Sequence, residues 1–221
     1  MNGSLGGTMP KRPFDRSEHI YRNDAFAELV KDAIRFFNGT PVHDLPLPAR
    51  FLGSGVYALY YTGPNPLYAP LAEANRLAYD VPIYVGKAVP RGWRQGRVSD
   101  SALTQSNELH SRVNEHKRNI EVGAGLEVES FACRFVIFEE AGSDMISTIE
   151  AALIKLFRPL WNTSVDGFGN HTPGAGRFEQ AKSDWDVIHP GRGFADKCKG
   201  IPKTEAAIHK NIAAHLAKML K

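Results

Sequence analysis

Cysteine is nearly missing from this chain: Cys133 and Cys198 are the only two among 221 residues. They form no CxxC pair, so neither a zinc site nor a disulfide framework is expected. No apolar run approaches the roughly 18 residues that a membrane span needs. No signal peptide is visible either, which suggests the cytoplasm. A strong charge of one sign is also lacking. Lys and Arg total 27 against 24 Asp and Glu, a net charge of +3. That balance permits nucleic-acid binding without demanding it, so the clustering of charge has to carry the argument. There is no internal repeat and no low-complexity tract. Apolar residues are not scarce. At 43% they support a real core and argue against disorder. The length suits one large domain, or one domain with extensions.

The stretch from Gly55 to Gly86 organises the chain. Gly55-Val56-Tyr57 opens an apolar run that continues to Tyr61 and stops at Thr62-Gly63-Pro64. Val81-Pro82-Ile83-Tyr84-Val85-Gly86 is a second run, leading into Lys87. Both are short, rich in β-branched and aromatic residues, and bounded by Gly and Pro, so both read as strands. Between them, Pro64 to Asp80 reads as an insertion with a short helix around Leu71–Leu77. A third strand spans Val128 to Glu139, where Phe131, Cys133, Phe135 and Ile137 alternate with Ala132, Arg134, Val136 and Phe138. Cys133 is thus expected to be a buried strand residue.

Helices flank these strands. Asn23 is placed to cap a helix running to Asn38, with Gly39 as its stop. That helix packs on the core or makes a dimer contact; its pattern suits either. Thr40 to Pro48 holds three prolines and reads as a linker. A helix from about Thr104 to Ile120 carries Arg112 and His116 four residues apart, on one face, with Lys117 and Arg118 extending the positive charge. Another runs from about Ser143 to Phe157, capped by Ser143 or Asp144. Glu150 sits in its middle among Ile149, Ala151, Ala152, Leu153 and Ile154, where a carboxylate is costly to bury unless a cation meets it. Pro159 ends it. Residues 163–200 read as a long irregular Gly-rich loop. Thr204 to Leu220 is an amphipathic helix with Ile208, Ile212, Leu216 and Leu220 on one face.

The paired triplets, with Arg112, His116, Glu150 and Pro159-Leu160-Trp161-Asn162 following in order, resemble the GIY-YIG nuclease family. Val stands for Ile in both triplets and keeps a β-branched strand residue. The long insertion and the basic His-bearing helix are similar to the type II restriction endonuclease branch, and within it to enzymes that cut the palindrome CCGCGG. The resemblance implies an α/β (α+β) fold: a small, mainly antiparallel three-stranded sheet flanked by helices, with an insertion and terminal helices added. It implies hydrolysis of double-stranded DNA at a palindromic, GC-rich site, one Mg²⁺ per active site, a homodimer, and a companion DNA methyltransferase in a bacterial cytoplasm. The expected division is an expression scar at 1–9, an arm and helix at 10–48, a catalytic core at 49–165 with its insertion at 64–80, and a tail at 166–221 packed on the core.

The residue types suit that chemistry. Phosphodiester hydrolysis needs an activated water, charge stabilisation on the phosphate and help for the leaving oxygen. Glu150 is the one clear carboxylate ligand, and a single carboxylate with phosphate oxygens and waters suits Mg²⁺. Arg112 is placed to hold the phosphate. A free phenol titrates near pH 10, so Tyr57 as general base needs a proton acceptor or nearby positive charge. His116 is expected to supply the first and Lys87 the second. Tyr84 would orient water or phosphate, and Asn162 would brace the site. Direct attack by Tyr57 stays open. Taken singly, each of these residues has a plain structural explanation; the case rests on their order. Arg91, Arg94 and Arg97 beside Trp93, then Lys117, Arg118 and Arg177, are candidate DNA contacts, as are His171 and the 182–203 segment. The alternatives are a structure-specific or repair-type nicking nuclease and a non-catalytic DNA-binding module.

Overall fold

Strand β2, Ser54–Tyr61, lies at the centre of the molecule and is buried along its whole length. The structure, a computed structural model, describes residues 12–47, 49–90, 92–93, 106–170 and 178–220. The first nine residues, Arg91, Arg94, Arg97, His171 and Arg177 lie outside the described residues. On one side β2 pairs antiparallel with β3, Pro82–Ala88, and on the other with β4, Phe131–Phe138. A short strand β1, Val42–Asp44, pairs antiparallel with the far edge of β4, giving the order β1-β4-β2-β3. The sheet therefore has four strands rather than the three expected, and part of the segment read as a linker is its edge. Three residues among prolines carry no alternation to read; β4 recruits them by offering unpaired backbone groups.

Because strand side chains alternate, β2 sends Tyr57, Leu59 and Tyr61 to one face and Val56, Ala58 and Tyr60 to the other. The second face is covered by α1, Asp24–Gly39, and α4, Ile146–Phe157, through Phe37, Ile146, Ile149 and Leu153. Helix α1 thus takes the core-packing option, with Asn23 capping it by accepting from the backbone N–H groups of Ala25 and Phe26. On the first face lie α3, Glu108–Val122, and the short α5, Leu160–Thr163, whose Leu109, Val113, Ile120, Leu160 and Trp161 are buried.

The insertion folds as a 3-10 turn, Pro66–Tyr68, and α2, Ala69–Ala74, and buries Tyr68 and Leu71 in that same core. The tail is more ordered than a Gly-rich loop. It contains α6, Asp184–Ile188, which buries Trp185, and α7, Glu205–Met219. Burying Ile208, Ile212 and Leu216 of α7 stabilises the fold by roughly 1.5–3 kcal/mol each. Helix α4 starts three residues later than expected. Ser143 does not cap it; its Oγ donates to the Phe138 carbonyl at 3.3 Å, inside a 3-10 turn at Glu140–Met145. Arg158, at φ 48°, closes α4 in the left-handed region just before Pro159. Among the described residues, no helix is long and apolar enough to cross a membrane.

Candidate active site

Both glycines of the motif have a steric reason to be there. A Cβ on Gly55 would strike the carbonyl of Val136 on β4. Gly86 faces Tyr57 across the β2–β3 pair, and a Cβ there would strike the Tyr57 hydroxyl. Without it, the hydroxyl end of the Tyr57 ring passes over Gly86 and reaches His116 on α3. A register shift between Leu59 and Tyr60 marks a bulge in the pairing with β3. Ile83 and Tyr84 accordingly join the same core cluster as Tyr57, although they are adjacent in sequence. The Tyr57 and Tyr84 ring centroids are 6.3 Å apart.

Helix α3 meets these tyrosines with one face. The Tyr57 hydroxyl lies 2.6 Å from Nε2 of His116, and both side chains are buried. One turn earlier, Arg112 lies beside the two phenols. Its Nη1 donates to Glu115 at 2.6 Å and its Nη2 to the carbonyl of Gly169 at 2.8 Å. Burial pushes the Tyr57 phenol well above its ordinary range, and a charge on Tyr84 would raise it further, while the Arg112 guanidinium opposes both. Tyr84 is also raised by burial, again against Arg112. A standing Tyr57 phenolate is therefore disfavoured, and proton transfer from Tyr57 requires a direct acceptor, which the geometry provides in His116.

Lys87 lies in the wall of the same cavity as Tyr57. Its Nζ is 2.7 Å from Oε2 of Glu150, so it neutralises the carboxylate on α4, and the cation that favours the Tyr57 phenolate is Arg112. The pair answers the cost of a carboxylate set among the apolar residues of α4. Asn162 acts on the backbone. Its Oδ1 accepts from Val85 N–H at 2.7 Å, and its Nδ2 donates to the Val85 carbonyl at 2.8 Å. Strand β3 is a sheet edge, and this amide satisfies the groups that a further strand would have taken. It fixes the residue between Tyr84 and Gly86.

Tyr57, Tyr84, Lys87, Arg112, Glu115, Arg118 and Glu150 line one cavity of about 480 Å³. Of the candidate DNA contacts that are described, Arg118 faces this cavity. Lys117 instead pairs with Glu121 at 2.5 Å, one turn further along α3. Among the described residues, no group of three or more His, Cys, Asp or Glu is arranged to hold a metal. Glu108, Glu115 and Glu150 all line this cavity, and Glu150 is the one that neighbours Tyr84; a carboxylate in an open, charged cavity fits a hard ion bound mainly by water and phosphate.

Two contributors were not anticipated. Phe168 stacks on His116 at 4.6 Å with an interplanar angle of 20°, and meets Tyr84 edge-on at 4.9 Å. Gly169 supplies the carbonyl to Arg112. The only sequence signal was the Asp166-Gly167-Phe168-Gly169 run, which has no periodicity to place it.

A buried tyrosine–histidine bond, an arginine beside it, and a glutamate and asparagine following on consecutive helices define a nuclease of the GIY-YIG type. The Eco29kI GIY-YIG domain model matches residues 49–216. The chain belongs to that family, a restriction-type endonuclease family whose substrate is DNA. A search of curated proteins returned no match.

Proposed function

We propose that the protein is a type II restriction endonuclease that makes Mg²⁺-dependent double-strand breaks at a palindromic, GC-rich site, with CCGCGG as the first candidate. The observation that carries this reading is the 2.6 Å Tyr57–His116 bond in the wall of a cavity that also holds Arg112 and Glu150. In this reading, Tyr57 takes a proton from the attacking water as it passes its own to Nε2 of His116. The relay avoids a free phenolate, which burial opposes. Arg112 exchanges Glu115 for the scissile phosphate, and Tyr84 orients the water or a phosphate oxygen. Glu150 would hold Mg²⁺, which when bound neutralises charge on the phosphate and leaving oxygen. Lys87, 2.7 Å away, holds Glu150 in place until then. Access to the Tyr57 hydroxyl, which has no exposed surface, requires Arg112 and Tyr84 to shift as the phosphate enters.

One catalytic set per chain and two cuts per break imply a homodimer with two-fold symmetry matching the palindrome. Guanine reading would fall to Arg or Lys side chains, and of the described candidate DNA contacts Arg118 lines the cavity. A cell carrying such an enzyme needs a companion methyltransferase to protect its own sites. The cytoplasm, where host DNA and that methyltransferase lie, is the matching compartment.

Plasmid digestion with Mg²⁺ tests the proposal, using wild type, Glu150→Gln and Tyr57→Phe. Discrete fragments with wild type and none with either variant are expected, with fragment-end sequencing giving the site. Nicked circles without fragments would favour a nicking enzyme, and tight binding without cleavage a silent module. A lasting protein–DNA adduct would favour direct attack by Tyr57. Sedimentation of a monomer on cognate DNA would remove the dimer.

A further inference from the structure

Arg192 belongs to none of the segments that carry the nuclease motif, yet it is only 4% exposed and densely bonded. Its Nε donates to Oδ1 of Asp186 at 2.7 Å. Its Nη2 donates to the carbonyl of Gly167 at 2.9 Å, and its Nη1 to those of Phe168 at 3.2 Å and Asn170 at 3.4 Å. The guanidinium lies over the rings of Trp185, at 4.5 Å, and Phe194, at 4.9 Å. A buried ion pair is weak evidence for stability, since apolar residues of similar volume often do as well. What apolar residues cannot supply is a rigid fork of donors that sets several carbonyls of one turn at once.

The far side of that turn is the active site. The Gly169 carbonyl takes the Arg112 guanidinium, and the Phe168 ring covers His116 and abuts Tyr84. There is no slack in the fit: a Cβ on Gly169 would lie 2.5 Å from the Tyr84 hydroxyl. Gly167 turns the chain at φ +100°, a conformation that glycine adopts without strain. A chain of direct contacts thus runs from Asp186 through Arg192 and the 167–170 turn to three of the side chains around the scissile phosphate.

We infer that Arg192 is a positioning residue for DNA cleavage, holding the 167–170 turn so that Arg112 and His116 keep their reactive geometry. This rests on the nuclease reading above. Its signature is a loss in kcat with little change in KM, because the turn orients reacting groups rather than binding the length of DNA.

The test measures kcat and KM on duplex DNA at 25 °C, below the melting transition of each variant, for wild type, Arg192→Lys, Asp186→Asn and Glu150→Gln. Lysine keeps a cation beside Asp186 but lacks the fork. Arg192→Lys is expected to lose kcat by about a hundredfold with KM within about twofold. A folded Arg192→Lys with wild-type kcat, or with only KM altered, overturns the inference. If that variant does not fold, Asp186→Asn, which loosens Arg192 without removing its charge, decides by the same two numbers. If Glu150→Gln cleaves like wild type, the nuclease reading fails and takes this inference with it. If Glu150→Gln is inactive while Arg192→Lys cleaves normally, only the positioning role fails.

Discussion

Two tyrosine–histidine pairs stand on the same side of the sheet, each with a hydroxyl-to-Nε2 distance of 2.6 Å and each buried. Tyr57–His116 borders a cavity containing Arg112, Lys87 and Glu150. Tyr68 and His189 are not in the wall of that cavity. The His189 Nδ1–H donates to the Ala124 carbonyl at 2.8 Å, so Nε2 accepts from Tyr68, whose oxygen in turn accepts from Trp161 Nε1–H at 3.2 Å. Every polar atom of that second network is satisfied internally, and burial drives the His189 imidazole down to about 4. In the proposed mechanism the first pair serves as a proton relay, while the same two side chains at the same distance brace the core at the second. What separates them is position: the first pair shares a cavity with an arginine and a carboxylate, which polarise it, while the second is bonded into the core through Ala124 and Trp161.

Substitution should split the two pairs, and the largest effect is expected at the first. Tyr57→Phe should lower kcat for DNA cleavage by about 10²–10⁴-fold, the span for loss of a general acid–base group, and should also cost about 1–3 kcal/mol of stability, because it breaks a buried hydrogen bond to His116. A variant that still cleaved at the wild-type rate would erase the functional distinction between the pairs.

The second pair should control acid stability. The unfolded His189 takes up a proton near pH 6.5 and the folded one only near 4. The stability this gives is complete above pH 6.5 and is lost as pH falls toward 4, by on the order of 3 kcal/mol. Denaturant melts at pH 7 and pH 5 should show the drop, and His189→Gln should flatten it. An unchanged slope would place the acid sensitivity elsewhere.

Tyr68→Phe is expected to cost about 1–3 kcal/mol, because Nε2 of His189 and Nε1 of Trp161 would be left buried without partners, while kcat stays near wild type. Cleavage lost in proportion to stability would mean that the brace is part of the site. Asn162→Ala should cost about 1–3 kcal/mol, since it removes the partner of both the N–H and the carbonyl of Val85. Its effect on kcat should exceed its effect on KM, and the reverse result would make Asn162 a binding residue.

Local signals served well where the cause is local. Asn23 caps α1 and the period of Phe37 and its neighbours selects the core face, because both depend on residues within a turn of each other. The alternation of β4 was legible for the same reason. Ser143 misled because its hydroxyl found the Phe138 carbonyl, a partner offered by the end of the preceding strand. The Lys87–Glu150 pair joins a strand end to a helix 63 positions away, and nothing in either segment names the other.

The sequence by itself determined three of the four strands, the long helices, and a set of candidate side chains in the order of the family's motif. Only the tertiary structure decided which cation faces Tyr57, which of two identical pairs opens onto a cavity, and that the tail supplies Phe168 and Arg192. Periodicity and capping are set by neighbours along the chain. The field and hydrogen bonds around a reacting group come from elements that the chain brings together only on folding.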